Sequence, residues 1–315
     1  MAFYINLNFI SYCKKQVLLN LPVIIYLCNL FMKKILLFIA FITLFSSCSK
    51  IKRLFKNKHS HSVGRVLKSK DLEYKYKMAE QFYATKKYYQ AQQVFEDIFK
   101  DYKGTDKYED MYYKWVYSLY YQKDYASAEN GFKTFTEYFP NSSKAEECEY
   151  MRAYCLYKQS PKVDLDQTET TKAIGQMQAF VNTYPTSKRL KDANEIIDRC
   201  REKLEIKESK AAQLYYDLGY YQASAISFAT VGENYPDSKR SDEYKLNEIR
   251  AYFKYAELST DEKREERFQK VLSECGDFSD RFSDSNLLPQ MNKYKEQANN
   301  YLKLLKNEQT QKTSK

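Results

Sequence analysis

Glycine and proline are scarce in this chain, seven and six among 315 residues. A sandwich or barrel needs turn residues every 8–12 positions or so, and this sequence does not supply them. Histidine is nearly as rare, with two residues, His59 and His61, both close to the N-terminus. The rest of the chain therefore lacks the commonest general base. Seven cysteines occur but no Cys-x-x-Cys, which leaves zinc ribbons and thioredoxin-type chemistry without support. No Gly-rich phosphate loop, no Gly-x-Ser-x-Gly and no His-Glu-x-x-His is present. Acidic residues are missing from the first seventy positions altogether. Residues 1–70 hold twelve Lys/Arg and no Asp/Glu, so the remainder carries 39 basic against all 41 acidic residues. The formal charge of +10 thus belongs to the N-terminus, and the near-neutral body offers no nucleic-acid footprint. These absences point to an all-α, non-enzymatic chain with no cofactor and no metal site.

The N-terminus reads as a leader. Met32-Lys33-Lys34 precedes an uncharged run from Ile35 to Phe45, followed by Ser46-Ser47-Cys48. A basic start, a short apolar run and small residues before a cleavage point make a signal peptide. The run is too short to span a bilayer as a helix. Leu44 to Cys48 resembles the lipobox of bacterial lipoproteins, with Phe45 where that pattern prefers Leu. The resemblance implies cleavage before Cys48 and acylation of that cysteine. Residues 1–31 then form an upstream extension from a start codon placed too early, residues 32–47 the signal peptide, and residues 48–70 a lipidated basic tether. An uncleaved anchor over Val17 to Phe45 is the alternative, although Asn20, Pro22, Asn29, Lys33 and Lys34 interrupt it. Beside a lipid anchor, the basic tether would lie against anionic headgroups.

The body repeats. Lys86-Lys87-Tyr88-Tyr89-Gln90-Ala91 through Phe95 aligns with Lys123-Asp124-Tyr125-Ala126-Ser127-Ala128 through Phe132. Ala173…Met177…Phe180 and Ser224…Phe228…Val231 keep the spacing. Each stripe places a small residue, then a large one four positions later, on one helix face. The small residue admits a neighbouring helix. Phe139-Pro140-Asn141-Ser142, Tyr184-Pro185-Thr186-Ser187 and Tyr235-Pro236-Asp237-Ser238 end these helices, since Pro lacks an N–H and the Ser can cap the next helix. Tyr102-Lys103-Gly104-Thr105 and Phe282-Ser283-Asp284-Ser285 are degenerate versions, giving about five helix pairs. Arg152-Ala153-Tyr154 and Arg250-Ala251-Tyr252 look like a repeated mark on the partner helices. Trp115, Leu119, Ala212 and Tyr215 are expected to pack those helices on their mates. The expected fold is an all-α α-solenoid of tetratricopeptide-like pairs over residues 71–306. A final helix over about Gln290 to Lys306 caps it, with Tyr294, Ala298, Tyr301 and Leu305 on one stripe, and residues 307–315 form a disordered polar tail. Cys148, Cys155, Cys200 and Cys275 are expected as small core residues. Asp164, Asp166 and Thr168 alternate like the start of a calcium loop but lack its Gly and closing Glu, and read as an acidic surface loop.

The Tyr-Pro-x-Ser endings carry a family resemblance, together with Asp192-Ala193, Leu204, Glu208, Ala212, Tyr215-Tyr216, Gly219 and Tyr221 between the second and third of them. From about Leu72 to Leu305 the chain resembles the BamD family, lipoproteins of the outer-membrane β-barrel assembly machinery. That resemblance implies a protein anchored in the outer membrane with its body in the periplasm. Its C-terminal repeats would dock on the periplasmic domains of the barrel assembly subunit, and its N-terminal repeats would receive unfolded outer-membrane proteins. Another periplasmic tetratricopeptide lipoprotein, scaffolding a cell-envelope or cell-division complex, is the competing reading. In such arrays the first helix of each pair lines a groove through positions 2, 5, 9 and 12. Transferred to this chain, those positions give Tyr76 and Tyr83 with Glu73 and Glu80; Tyr113, Tyr117 and Tyr120 with Asp110; and Tyr150, Tyr154 and Tyr157 with Glu147. In the fourth repeat they give Ile206, Ser209, Gln213 and Tyr216, and the stripe fades. Tyrosine suits adaptable peptide recognition, and the acidic residues would favour a basic group in the peptide. The same tyrosines could equally be ordinary helix-packing core.

The leader reading has a direct test. Cys48→Ala should abolish lipid labelling of the mature protein, leaving it unprocessed or released; labelling at the parental level would remove the lipoprotein assignment.

Overall fold

In the computed structural model, residues 60–313 are described, with side chains over 63–307. Cys48, the leader (residues 1–47) and the first part of the tether lie outside the described residues. The described chain is helical with no strand. It divides into two compact units, Met1–Ala79 and Glu80–Lys315.

The first unit holds α1 (Ser60–Lys68) and the opening of α2 (Leu72–Ala84). Part of the expected tether is therefore helical, with Val66 buried. Val66 and Leu67 in a run with no proline give that segment an apolar side to fold around.

The second unit is a succession of antiparallel neighbours: α3 (Tyr88–Tyr102), α4 (Asp106–Tyr121), α5 (Tyr125–Tyr138), α6 (Ala145–Gln159), α7 (Thr168–Thr183), α8 (Leu190–Asp217), α9 (Tyr221–Asn234), α10 (Ser241–Glu257), α11 (Asp261–Arg281) and α12 (Leu288–Thr313). From α3 onward each helix packs chiefly on the next in sequence, which is the arrangement of an α-solenoid.

The second helix of each pair carries the core through one stripe. Ala91, Phe95, Ile98 and Tyr102 of α3 are all buried, as are Ala128, Phe132 and Phe135 of α5, and Ala173, Met177 and Phe180 of α7. In α9 the stripe is Ser224, Phe228 and Val231. Spacings of four, three and four keep these positions on one side of a helix. Burying each large member contributes roughly 1.5–3 kcal/mol. A fifth copy escapes inspection of the sequence. In α11 the stripe reads Val271, Cys275 and Phe278, with the small and large members exchanged. Close approach is strictest between α4 and α5, where a Cβ on Gly131 would meet Val116 Cγ2 at 2.9 Å.

The turns repeat too. Lys86, Lys123 and Gly219 adopt positive φ of 58°, 67° and 82°, each two residues before a tyrosine that opens the next helix. Their N–H groups, and those of the following residues, close the preceding helix. Lys87, Asp124 and Tyr220 donate to Phe82, Leu119 and Tyr215 carbonyls at 2.8, 3.2 and 2.9 Å. This is the left-handed cap that glycine favours, and two lysines occupy it.

At the other end of each pair the serine does more than the sequence suggests. Ser142, Ser187, Ser238 and Ser285 each precede the next helix by three residues. They are not its N-caps; Lys144, Arg189 and Arg240 stand there without side-chain capping bonds. Each serine Oγ instead accepts the N–H two residues on, from Lys144, Arg189, Arg240 and Leu287. It also donates to a carboxylate on the preceding pair's first helix, near the helix start in three cases and in the middle of α8 for Glu205. The acceptors are Glu109 at 2.7 Å, Glu146 at 2.5 Å, Glu205 at 2.5 Å and Asp242 at 2.6 Å. These four bonds staple successive repeats. The Tyr102–Thr105 ending lacks the staple: Thr105 Oγ1 donates to Tyr102 O, and Gly104 takes a positive φ.

Counted from the stapled carboxylates, Arg152 lies six residues on from Glu146 and Arg250 eight on from Asp242. The Arg-Ala-Tyr match is therefore out of register. The two arginines accordingly differ: Arg152 pairs with Glu129 at 3.0 Å, whereas Arg250 stacks on Tyr216 at 4.2 Å.

Helix α8 explains the irregular repeat length. Its 28 residues form one continuous helix, about 42 Å long. Ala193, Ile196, Ile197 and Cys200 join the core of α4 to α7, while Ala212 joins Phe228, Val231 and Tyr244. A third core gathers α10, α11 and α12 around Phe253, Phe268, Phe278 and Met291. Trp115, Leu119 and Ala212 pack as expected, but Tyr215 is exposed. In α12, Tyr294, Ala298 and Tyr301 face that core, joined by Leu302 rather than Leu305. The helix also continues to Thr313 instead of ending at Lys306, because nothing in Asn307–Thr313 breaks it.

Ala128 touches a neighbouring helix with no exposed surface. Ala128→Leu should overpack that contact and cost about 1–3 kcal/mol in urea unfolding. Unchanged stability would mean that the stripe does not set the helix spacing.

Candidate functional site

Helix α4 places Tyr113, Tyr117, Tyr120 and Tyr121 within two turns, and α6 repeats the spacing with Tyr150, Tyr154 and Tyr157. Residues four and seven apart share a face, so each helix presents a tyrosine ridge. Stacking of the repeats sets the two ridges side by side, and the rings form a continuous track. Tyr83 meets Tyr88 edge-on at 5.7 Å between centroids, and Tyr88 stacks on Tyr121 at 4.5 Å. Tyr121 then meets Tyr117, and Tyr117 meets Tyr113 at 4.7 Å and Tyr120 at 6.1 Å. Tyr120 reaches across to Tyr154 at 6.4 Å, and Tyr154 touches Tyr150 and Tyr157, each at 5.9 Å.

The track therefore joins seven of the eight tyrosines singled out by position. The eighth, Tyr76, lies half-buried in the first unit. Tyr88, Tyr121 and Tyr125, whose ring lies 5.8 Å from that of Tyr120, belong to the track but not to the positional pattern. Tyr121 could have been found from its spacing of four from Tyr117. Tyr88 and Tyr125 could not, because they open second helices and reach the face only through the turn.

Burial divides these residues. Tyr117 and Tyr150 are each only 7% exposed and belong to the core, while Tyr83, Tyr113, Tyr120, Tyr154 and Tyr157 are half-buried against it. Tyr121 is the most open, at 47%. Burial, with the negative charge of Glu147 nearby, pushes the Tyr113 and Tyr117 hydroxyls far above the ordinary phenol range. Burial and neighbouring tyrosines push Tyr120 up to about 12. At neutral pH all three are O–H donors.

The acidic positions behave differently from expectation. Glu147 accepts hydrogen bonds from Tyr113 at 3.0 Å and Tyr117 at 2.8 Å, and pairs with Arg189 at 3.0 Å. Asp110 pairs with Lys114 at 2.6 Å and Lys144 at 3.0 Å, and Glu80 with Lys114 at 2.5 Å. Lys144 and Arg189 also lie over the rings of Tyr113 and Tyr150, at 4.8 and 5.0 Å. Both are N-cap residues that follow a stapling serine, so the staple that joins two repeats also delivers a cation to the carboxylate of the earlier one. These acids are already neutralised within the fold and do not offer free charge to a basic ligand. Asp110 and Lys114 are four apart on α4, but the Glu80–Lys114, Asp110–Lys144 and Glu147–Arg189 pairs join different helices, which positional counting along one helix does not see.

Elsewhere the side chains are structural. Cys148, Cys155, Cys200 and Cys275 are free and buried. Burial pushes the Cys155 thiol up to about 12 and Cys275 to about 11, so both remain unreactive thiols. The Asp164–Thr168 loop is bound to α8: Lys203 Nζ donates to Pro161 O, Lys207 Nζ to Leu165 O, and Lys210 pairs with Asp164 at 2.7 Å. Asp166 accepts the Thr168 N–H at 3.0 Å, starting α7. Among the described residues no His, Cys, Asp or Glu group could hold a metal ion, and no helix is long and apolar enough to cross a membrane.

A family model described as YfiO, outer membrane lipoprotein, matches residues 68–271, more than half of the chain. It takes in all seven joined tyrosines, and its match ends within α11. No curated protein matches the sequence.

Burial makes different forecasts for individual tyrosines. Tyr117→Ala should cost about 3 kcal/mol, since it opens the core and leaves Glu147 short of a donor. Tyr154→Ala should cost roughly 1 kcal/mol, as a half-exposed ring does. Equal losses in thermal unfolding would mean that the track is uniformly core.

Proposed function

Because the chain belongs to the YfiO outer membrane lipoprotein family, we propose that it is a non-catalytic, BamD-type component of the machinery that assembles β-barrels in the outer membrane. In this reading Cys48 carries the lipid, and the repeat body lies in the periplasm. The body holds the periplasmic domains of the barrel assembly subunit and receives unfolded outer-membrane proteins.

The continuous tyrosine track over α4 and α6 carries the substrate half of the reading. Half-buried rings on a fixed helical frame offer apolar faces with few rotors left to freeze, and burial keeps the Tyr120 hydroxyl protonated and able to donate. An extended segment of a barrel strand, with aromatic and apolar side chains on alternate positions, matches such a surface. Tyr83, Tyr113, Tyr120, Tyr121, Tyr154 and Tyr157 would make the contacts. Tyr117 and Tyr150 would support them from beneath, because burial leaves them little surface for a ligand. The docking half rests on the family together with the exposed apolar residues of the later repeats. Leu214, Leu218 and Tyr220 lie around the end of α8, and Leu258 lies at the end of α10. Apolar residues of this size, clustered on a surface, are the usual material of an interface.

Two experiments test the halves separately. Affinity purification of the lipoprotein from detergent-solubilised envelope should recover a large β-barrel subunit, and Leu218→Glu should reduce that recovery. A peptide from a C-terminal barrel strand should bind the purified protein, and Tyr154→Ala with Tyr121→Ala should weaken it severalfold without unfolding the protein. Recovery of cell-division proteins in place of the barrel subunit would overturn the first half. Undiminished peptide affinity in the folded double variant would overturn the second.

A further inference from the structure

We propose that Lys158 gives the tyrosine track its polarity, selecting segments that bring a carboxylate to the end formed by Tyr120, Tyr125, Tyr154 and Tyr157. This rests on the reading of the track as a peptide site and adds the chemistry of the ligand's anchoring group.

The charges on the track are unevenly satisfied. Its three carboxylates in the second unit are each held by a cation: Glu80 by Lys114, Asp110 by Lys114 and Lys144, and Glu147 by Arg189. Those four contacts consume Lys114, Lys144 and Arg189 as well. Lys158 differs. It stands exposed in the last turn of α6, its ammonium lies 4.9 Å from the centre of the Tyr154 ring, and it forms no ion pair with any described residue. The groups around it are phenols, those of Tyr154, Tyr125 and Tyr157, rather than carboxylates. Each of these rings is half-buried, and the Tyr154 ring lies under the ammonium. Arg199, on α8, also reaches the Tyr157 hydroxyl but is bound to Glu195 at 3.0 Å. A cation engaged with Tyr154 but with no carboxylate partner among the described residues therefore sits at the edge of an aromatic floor.

A ligand group complementary to that arrangement has an apolar body next to a negative head. The body lies on Tyr120 and Tyr154, and the head accepts hydrogen bonds from the Lys158 ammonium and the neighbouring phenols. An aromatic residue adjacent to an acidic side chain has this form, and so does an aromatic residue at a chain's C-terminus. A basic ligand group would meet Lys158 with like charge and find no free carboxylate to compensate. The preference is thus the opposite of the one that the acidic residues at the groove positions suggest from sequence.

The test uses the full-length lipoprotein in detergent and a fluorescent peptide of alternating aromatic and small polar residues, in three forms. One carries an internal Glu and an amidated C-terminus, one an internal Gln and a free C-terminal carboxylate, and one an internal Gln and an amide. Fluorescence anisotropy should show at least one carboxylate form binding about tenfold more tightly than the neutral form. Whichever gains identifies the source of the carboxylate. Lys158→Met keeps most of the apolar stem and should remove that gain while leaving the neutral peptide's affinity and the melting temperature at parental values. Raised salt should also reduce the gain. If the neutral peptide binds as tightly as both carboxylate forms, or if Lys158→Met retains the preference, the proposal is overturned and the track remains a neutral peptide site. If no form binds at all, the track itself is not a peptide site.

Discussion

Close contact along the second helix of each pair is the constraint on which the remaining architecture depends. A buried small residue followed four and seven positions later by large ones fixes both the separation and the rotation of that helix against its neighbours. Once Ala91, Ala128, Ala173 and Ser224 are seated, the first helices have no freedom to turn. Their tyrosines must emerge on the remaining face. The serine staples then lock translation along the stack, because each joins the turn after one pair to a carboxylate on the pair's first helix. Apolar contact sets distance and rotation, and a directional bond sets register.

The staple has a second effect, on electrostatics. It fixes where the residue two positions later can reach. Lys144 and Arg189 therefore fall over Tyr113 and Tyr150 and beside Asp110 and Glu147. Arg240 obeys the same rule and reaches Glu205 at 3.1 Å, deep enough that Ser238 and Tyr244 share the same carboxylate oxygen. A half-buried carboxylate with two or three donors is costly to disrupt and unavailable to a ligand. The tyrosine face is in consequence close to neutral over most of its length, although its sequence looks acidic.

Helix α8 gives the stack its two-part character. Its first half packs as a neighbour of α6 and α7, and Glu205 in its middle takes the staple of the following turn, so its second half serves as the first helix of the next pair. One rigid element thus belongs to two cores. The tyrosine track is built from helices that precede it, whereas the exposed Leu214, Leu218 and Tyr220 lie around its C-terminal end and Leu258 at the end of α10. On the function proposed here, substrate and assembly subunit would occupy those two regions, which one continuous helix joins.

Much of this was legible in the chain itself. Scarce glycine and proline, the four-and-seven spacing and the Pro-terminated helices determine an all-α repeat, because helical periodicity and helix termination are local effects written in neighbouring residues. The buried state of Ala91, Ala128 and Ala173 and of the four body cysteines comes from the same pattern. Position along the first helices also brought out seven tyrosines that do share one track. Other features needed the folded chain. The stripe of α11 was hidden by the exchange of small and large members, and the Arg-Ala-Tyr match was a coincidence of composition that the staples expose as out of register. Which tyrosines are floor and which are surface, and which charges are spent, was settled largely by side chains arriving from 30 to 42 residues away in sequence. A helix face can be read from spacing, but what covers it cannot. Glu147 pairs with Arg189 across two helices, and the bond from Ser187 to Glu146 holds the next helix where that arginine can reach back.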